Sequence, residues 1–247
     1  MTQRISERER RRDALVIVAK YPRPGHAKTR LGASIGFEQS ARLYGAFLRD
    51  LAERFTAASA HDSYDLIWAC ADDPKLMAPI LGHGARMMRQ RGDDLAERLY
   101  AICCDTAARG YERMIILGSD SPHVPAAAVT DALALLEGAD VALGPAEDGG
   151  YYLVGVRNRP APPDIFTGVT MSTSAVLAQT TSRIAALGLS AQFIQITFDV
   201  DTEADMIRLA HLLDTSPALA PRTYELLGER AAPVMKTGAE GGAHGAG

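Results

Sequence analysis

Short apolar runs rich in β-branched residues alternate along this chain with longer stretches in which apolar positions return every three or four residues. Residues 15–19 predict a buried strand. Residues 38–57 after it predict a helix whose Ala41, Tyr44, Phe47, Leu48, Leu51 and Phe55 form one apolar stripe. The alternation continues with a strand at 64–70, a helix at 73–81, a strand at 113–117 and a helix at 125–137 opened by Pro125. Residues 140–143 and 151–156 read as strands, 172–187 as a helix, 192–197 as the last strand and 203–213 as the helix behind it. This order predicts an α/β fold: a mostly parallel mixed sheet with helices on both faces, the 140–156 pair supplying an inserted or antiparallel element. Ligands of such sheets sit beyond the carboxyl ends of the strands, so the polar residues that follow each strand are the ones to search.

Composition narrows the picture without changing it. The 247 residues are 47% hydrophobic and 23% charged, enough for a sizeable core. No internal repeat or linker divides the chain, which predicts a single domain over 13–228 with loose termini at 1–12, an Arg/Glu-rich run, and 229–247, a Gly/Ala-rich end. A net charge of -4 removes the electrostatic basis for coating a polyanion, so no nucleic-acid partner is expected. Cys70, Cys103 and Cys104 have no C-x-x-C spacing, which argues against a disulfide framework or a zinc site and fits a reducing, cytoplasmic setting. The apolar run at 14–19 ends at Lys20, far short of the ~20 residues that span a bilayer, so neither a membrane span nor a signal peptide is expected. A homo-oligomer is left open.

Four polar clusters follow apolar strands. The first, Lys20-Tyr21-Pro22-Arg23-Pro24-Gly25-His26-Ala27-Lys28-Thr29-Arg30, is a stiff Pro/Gly loop delivering several cations where phosphates would lie; it is not a Walker loop. Gly25 would let backbone approach, and Lys28 and Arg30 supply charge and forked donors, although a solvated surface loop also explains the pattern. The second, Gly118-Ser119-Asp120-Ser121-Pro122-His123, puts a carboxylate at a strand tip, where it serves equally as helix cap or metal ligand. In the third, Asp199 and Asp201 lie two residues apart on one side, and two adjacent carboxylates call for a cation. Magnesium takes one or two carboxylates plus substrate phosphates, so Asp120 with Asp199 or Asp201 makes an adequate ligand set. Alternatively Asp201 or Thr202 caps the following helix, with Asp205 favourable to its dipole. The fourth, Glu147-Asp148-Gly149-Gly150-Tyr151, is by itself a hairpin turn signal. Gln90 and Arg98 flank a helix start near a base or ribose position, with Asp93 or Asp94 as an equally simple cap.

Taken together and in order over about 15–213, these clusters resemble the bacterial glycosyltransferase-like proteins, also called selenodomain-associated transferases, of the nucleotide-diphospho-sugar transferase superfamily. They resemble phospholactate and molybdenum-cofactor guanylyltransferases more distantly. The matching residues are Ala19-Lys20-x-Pro22-x-Pro24-Gly25-x-x-Lys28-Thr29-Arg30-Leu31, Gly118-Ser119-Asp120-Ser121-Pro122, the run from Glu147 to Gly155, and Asp199-Val200-Asp201-Thr202-Glu203-Ala204-Asp205. The resemblance implies a GT-A type Rossmann-like sandwich that binds a nucleotide or nucleotide sugar with Mg2+ or Mn2+ and transfers to a small-molecule acceptor. It implies catalytic roles for Lys28, Asp120 and Asp148, and phosphate or nucleotide contacts from Lys20, Gly25, Lys28, Thr29, Arg30, Gln90 and Arg98. Gly149, Gly150 and Tyr151 would face the transferred group, and Asp120, Asp199 and Asp201 the metal. One departure stands out: Asp120 is single where many glycosyltransferases carry a D-x-D pair. Glycosyl transfer from a nucleoside diphosphate is the first reading, and nucleotidyl transfer with release of pyrophosphate the alternative.

Overall fold

The computed structural model describes residues 12–61, 64–158 and 161–231. Seven strands form one sheet: β1 (Asp13–Ala19), β2 (Tyr64–Cys70), β3 (Arg86–Arg89), β4 (Arg113–Leu117), β5 (Val141–Pro145), β6 (Tyr151–Arg157) and β7 (Ala191–Phe193). Their spatial order is β3-β2-β1-β4-β6-β5-β7, and every pairing is parallel except those of β6, which runs antiparallel to both β4 and β5. The antiparallel element expected from the 140–156 pair is therefore β6. Because β1 is flanked by β2 and β4, the chain reverses its direction of winding at β1/β4. That switch point opens a crevice at the carboxyl ends of both strands.

The period-two alternation of each strand divides the core into two layers. Leu15, Ile17 and Ala19 of β1, with Ile115 and Leu117 of β4, face the layer carrying α2 (Phe37–His61), α3 (Pro74–Leu81), α5 (Ala127–Leu135) and α7 (Glu203–Thr215). Ala14, Val16, Met114 and Ile116 face the layer carrying α4 (Leu95–Ala108) and α6 (Val176–Ala186). The stripe read on the first long helix is buried as expected: Tyr44, Phe47, Leu48, Leu51 and Phe55 are at most 2% exposed.

Three elements were not expected. Helix α1 (Thr29–Ile35) has seven residues and no apolar stripe. The edge strand β3 reads Arg-Met-Met-Arg, with only one of its residues fully buried. Helix α8 (Pro221–Ala231) runs past the domain boundary expected at 228. It is fastened by Asp50 of α2, a fully buried carboxylate that accepts from the Arg222 and Thr223 N–H groups at 2.9 Å each and from the Thr223 hydroxyl at 2.6 Å. The segments 1–11 and 232–247, most of the expected loose termini, lie outside the described residues. No described helix is long and apolar enough to cross a membrane.

Candidate functional site

The loop after β1 delivers Lys28 to the crevice. Lys28 takes the left-handed conformation (φ 50°, ψ 49°), which only Gly visits freely, and stands at the start of α1. Its side chain is 3% exposed, and its ammonium contacts two carboxylates from different parts of the fold: Oδ1 of Asp120, after β4, and Oδ1 of Asp201, before α7, the latter at 2.9 Å. Burial pulls the Lys28 ammonium down, but the Asp120 and Asp201 charges outweigh it and hold it above the usual lysine range. For Asp201, burial pushes the carboxyl up and Lys28 outweighs it, leaving the group below the usual range.

Neighbouring groups hold this triad in place. Val200 N–H donates to the Asp120 carbonyl at 3.0 Å, tying the turn after β4 to the segment before α7. Ser119 shares a 2.8 Å hydrogen bond with the hydroxyl of Tyr44, which α2 carries beneath the site. Thr202, not Asp201, caps α7, and Asp205 completes a capping box with it. The helix-cap alternative thus falls on Thr202 and leaves the Asp201 carboxylate to Lys28. Asp120 does not cap α5, whose N-cap is Ala126.

Asp199 is placed differently. Its Oδ1 accepts from the Ser121 hydroxyl, and burial, then the Asp120 charge, push its carboxyl up to about 6. Below it, His123 stacks on Phe198 with ring centroids 4.3 Å apart and shares a 3.0 Å hydrogen bond with Thr197. Arg208 covers the Phe198 ring at 3.9 Å. His123 is thus part of the packing that supports the 198–201 turn. His26 is exposed on the β1 loop.

A cavity of about 680 Å3 opens beside the triad. Arg30, Asp120, Asp148, Asp199 and Asp201 form its polar side, and Val18, Leu95, Leu99, Ile116, Val154 and Val176 its apolar floor. Gly150 and Tyr151 line it as well. The Gly150 N–H donates to Asp148 Oδ1 at 2.9 Å, so the Asp148 side chain folds its own turn while facing the cavity. Gly149 has φ +90°, and a Cβ there would stand 2.2 Å from the Ser174 carbonyl oxygen. Only glycine permits that approach. The opposite wall, Met171, Ser172, Thr173 and Ser174, was not anticipated. The helix read from 172 begins instead at Val176, and Ser172 takes a left-handed φ of 62°. The available signal was the polar run Thr170 to Ser174 ahead of the apolar-periodic stretch, which reads as a helix approach as readily as a first turn.

Several expected contacts lie elsewhere. Gln90 gives its amide to the carbonyls of Ala69 (2.8 Å) and Ala19 (3.4 Å), stitching the ends of β1 and β2. Arg98 donates to the Gly92 and Asp93 carbonyls at 3.0 and 3.3 Å, fixing the loop that Asp94 caps onto α4. Neither lines the cavity, so both shape the site's frame. Gly25 takes φ +75°, a turn conformation that glycine adopts freely, and open space lies where a Cβ would go. Lys20, on the loop, and Thr29, the first residue of α1, are exposed and do not line the cavity. A larger hollow of about 900 Å3, lined by Asp65, Arg86 and Tyr111 among others, lies at the opposite ends of the strands and contains none of the site residues. Geometry at the switch point, not size, decides between the two.

Among the described residues, no group of three or more His, Cys, Asp or Glu side chains is arranged to hold a metal ion alone. Asp120 and Asp201 nonetheless suit a hard divalent cation that completes its shell with phosphate oxygens, since both are partly exposed at the cavity, 47% and 38% at the side chain. Asp199, half-buried and bonded to Ser121, lines the same cavity.

A family profile described as an uncharacterized protein conserved in bacteria, DUF2064, matches residues 49–173. The chain belongs to this family. The matched stretch includes Asp120 and the Asp148–Tyr151 loop, while Lys28 and Asp201 lie outside it. The chain is 27% identical over 197 residues to phosphoenolpyruvate guanylyltransferase of Sphaerobacter thermophilus, covering 79% of this chain and 92% of that protein. Among solved structures, a Desulfovibrio desulfuricans G20 protein provisionally named a nucleotide-diphospho-sugar transferase is 33% identical. It superposes with a TM-score of 0.83 over 91% of this chain and 97% of that one. A cytidylyltransferase from Leptospira borgpetersenii shares the fold at 10% identity and a TM-score of 0.54, over 95% of this chain and 100% of that one. The architecture implied by the resemblance, that of the nucleotide-diphospho-sugar transferases, is the one found.

Proposed function

We propose that this protein is a metal-dependent nucleotidyltransferase that joins a nucleoside triphosphate to a small phosphorylated acceptor and releases pyrophosphate. The observation that carries this reading is the meeting of Lys28 with Asp120 and Asp201 at the carboxyl ends of β1 and β4, on a strand-loop that also brings Lys20, Arg23 and Arg30. Three phosphates need more compensating charge than two, and this loop concentrates it. The guanylyltransferase relative supports the same choice. Glycosyl transfer is less well served. Two residues before Asp120 stands Gly118, so the turn offers no second carboxylate at the D-x-D spacing.

In this reading an acceptor phosphate oxygen attacks the α-phosphorus, and the bond from that phosphorus to the pyrophosphate oxygen breaks. Lys28 and Arg30 neutralise the growing charge on the leaving pyrophosphate. Asp120 and Asp201 would hold a divalent cation, which supplies Lewis-acid stabilisation of phosphate oxygens when bound. The 148–151 turn and the 171–174 wall position the acceptor over the apolar floor, and Asp148 faces it from the turn.

The test is a thermal-shift screen of nucleoside triphosphates and nucleoside-diphosphate sugars, with and without Mg2+ or Mn2+, followed by a pyrophosphate-release assay. GTP with phosphoenolpyruvate is the first pair to try. A ligand at 100 times its Kd stabilises by about 2.7 kcal/mol. A metal-dependent shift with a triphosphate is the expected result. A shift confined to a diphosphate sugar moves the assignment to glycosyl transfer, and no shift with any nucleotide removes both.

A further inference from the structure

A lysine that binds phosphate as its sole role would point at open space, yet Lys28 does not. Its side chain is 3% exposed and its ammonium is already engaged by Oδ1 of Asp120 and Oδ1 of Asp201, while the two carboxylates it holds are 47% and 38% exposed at the cavity. Negative charge is in excess here: one buried ammonium contacts two carboxylates, Asp199 adds a third to the same cavity, and the next cation, Arg30, pairs only loosely, 4.0 Å from Asp201 Oδ2 and largely exposed. A divalent ion would balance the pair where a monovalent ammonium leaves it one charge short. Of the described lysines only Lys28 is buried, Lys20 and Lys75 being exposed. Its backbone is held in a left-handed conformation, which persists only where the surroundings determine it, and the ion pairs to two other segments of the fold do so.

We propose that Lys28 is the internal counter-ion of the Asp120–Asp201 pair, standing in the cation's place in the nucleotide-free protein and leaving the carboxylates for phosphate oxygens when a metal-bound nucleotide enters. The inference rests on the nucleotide and metal reading above. Lys28 then has two successive sets of partners. It keeps two like charges together before a metal-bound nucleotide enters, and it delivers a positive charge to the phosphates only once the carboxylates have another cation. Without both metal and nucleotide the loop stays clamped, so metal alone must compete with the ammonium.

That competition is measurable without turnover. Mn2+ binding alone, read by electron paramagnetic resonance or calorimetry on the full chain, is compared in wild type, Lys28→Met, Lys28→Gln and Arg30→Met. Removing the competing ammonium is expected to tighten Mn2+ binding about tenfold or more in both Lys28 variants. Loss of the exposed Arg30 charge is expected to change it by about twofold at most. Lys28→Met should also melt lower than wild type in chelator and recover with saturating Mn2+. Should Lys28→Met fold poorly, Lys28→Gln, whose amide still donates to a carboxylate, carries the comparison. If both fold only with Mn2+, the metal is replacing the ammonium, as proposed. Folded Lys28 variants with unchanged or weaker Mn2+ affinity overturn the inference, as do variants that fail to fold even with Mn2+. Failure of wild type to bind any triphosphate with metal is a separate result, and it removes the nucleotidyltransferase reading.

Discussion

Thr202 and Asp205 close on each other at the start of α7, the threonine N–H donating to Asp205 Oδ2 at 2.8 Å and the Asp205 N–H to Thr202 Oγ1 at 3.3 Å. This box satisfies the helix end without Asp201, whose carboxylate reaches Lys28. Neighbouring residues therefore divide structure from chemistry. Thr202→Ala should lower stability by about 1 kcal/mol and leave turnover per folded molecule nearly unchanged. Asp201→Asn should keep the helix and lower metal-dependent turnover by tenfold or more, an order-of-magnitude figure for one lost electrostatic ligand. Urea unfolding alongside metal titrations of activity separates the two. Full activity in Asp201→Asn would return Asp201 to a structural role.

Much of this division is legible in the sequence because the strands announce themselves. Residues 15–19 and 113–117 are apolar runs ending in polar clusters, so Lys28 and Asp120 stand out, and Asp199 and Asp201 follow the last strand in the same way. The sequence does not show how the clusters converge. Whether Asp199 or Asp201 reaches Lys28 depends on a hydrogen bond from Ser121, 78 residues away in the chain, that draws Asp199 aside. Gln90 and Arg98 look like ligand contacts because their amide and guanidinium groups are recognition groups in general, yet both are taken up by backbone carbonyls. Helix α8 has no visible anchor in its own segment, since the anchor is Asp50, which lies on α2.

The Asp50 anchor yields a stability prediction remote from the site. Replacing it with Ala leaves the Arg222 and Thr223 N–H groups and the Thr223 hydroxyl without their acceptor in a buried place. Asp50→Ala should lower unfolding free energy by about 2–4 kcal/mol and free α8 to exchange its amides early. Hydrogen exchange localised to 221–231 is the expected signature. Unchanged protection there would mean that apolar packing alone holds α8.

His123 should make stability depend on pH. Burial, followed by the Arg54 and Arg208 charges, lowers its imidazole from 6.5 to about 4. The unfolded chain therefore binds more protons than the folded one between those values, and stability rises with pH across the window. The contribution is fully present above about pH 6.5 and is lost progressively as pH falls to about 4, amounting to roughly 3 kcal/mol. His123→Gln, which keeps a polar group near Thr197, should flatten the dependence in that window relative to wild type. Parallel urea titrations from pH 4 to 7 test this, and identical slopes in the two proteins would show that other groups set the acid limb.

Gly149 governs how the 171–174 wall of the cavity is placed. Its φ of +90° and the 2.2 Å that would separate an added Cβ from the Ser174 carbonyl mean that neither the backbone nor the neighbour accepts a side chain. The Gly149 carbonyl also accepts from the Leu177 N–H at 2.9 Å, coupling the turn to the first turn of α6. Gly149→Ala should destabilise by about 1–3 kcal/mol, from positive-φ strain and overpacking together. Because the clash pushes on the 171–174 segment, the variant should raise KM for the acceptor more than KM for the nucleotide. Steady-state kinetics varying each substrate in turn distinguish the two. An equal rise in both constants would place the 148–150 turn under the nucleotide instead of the acceptor.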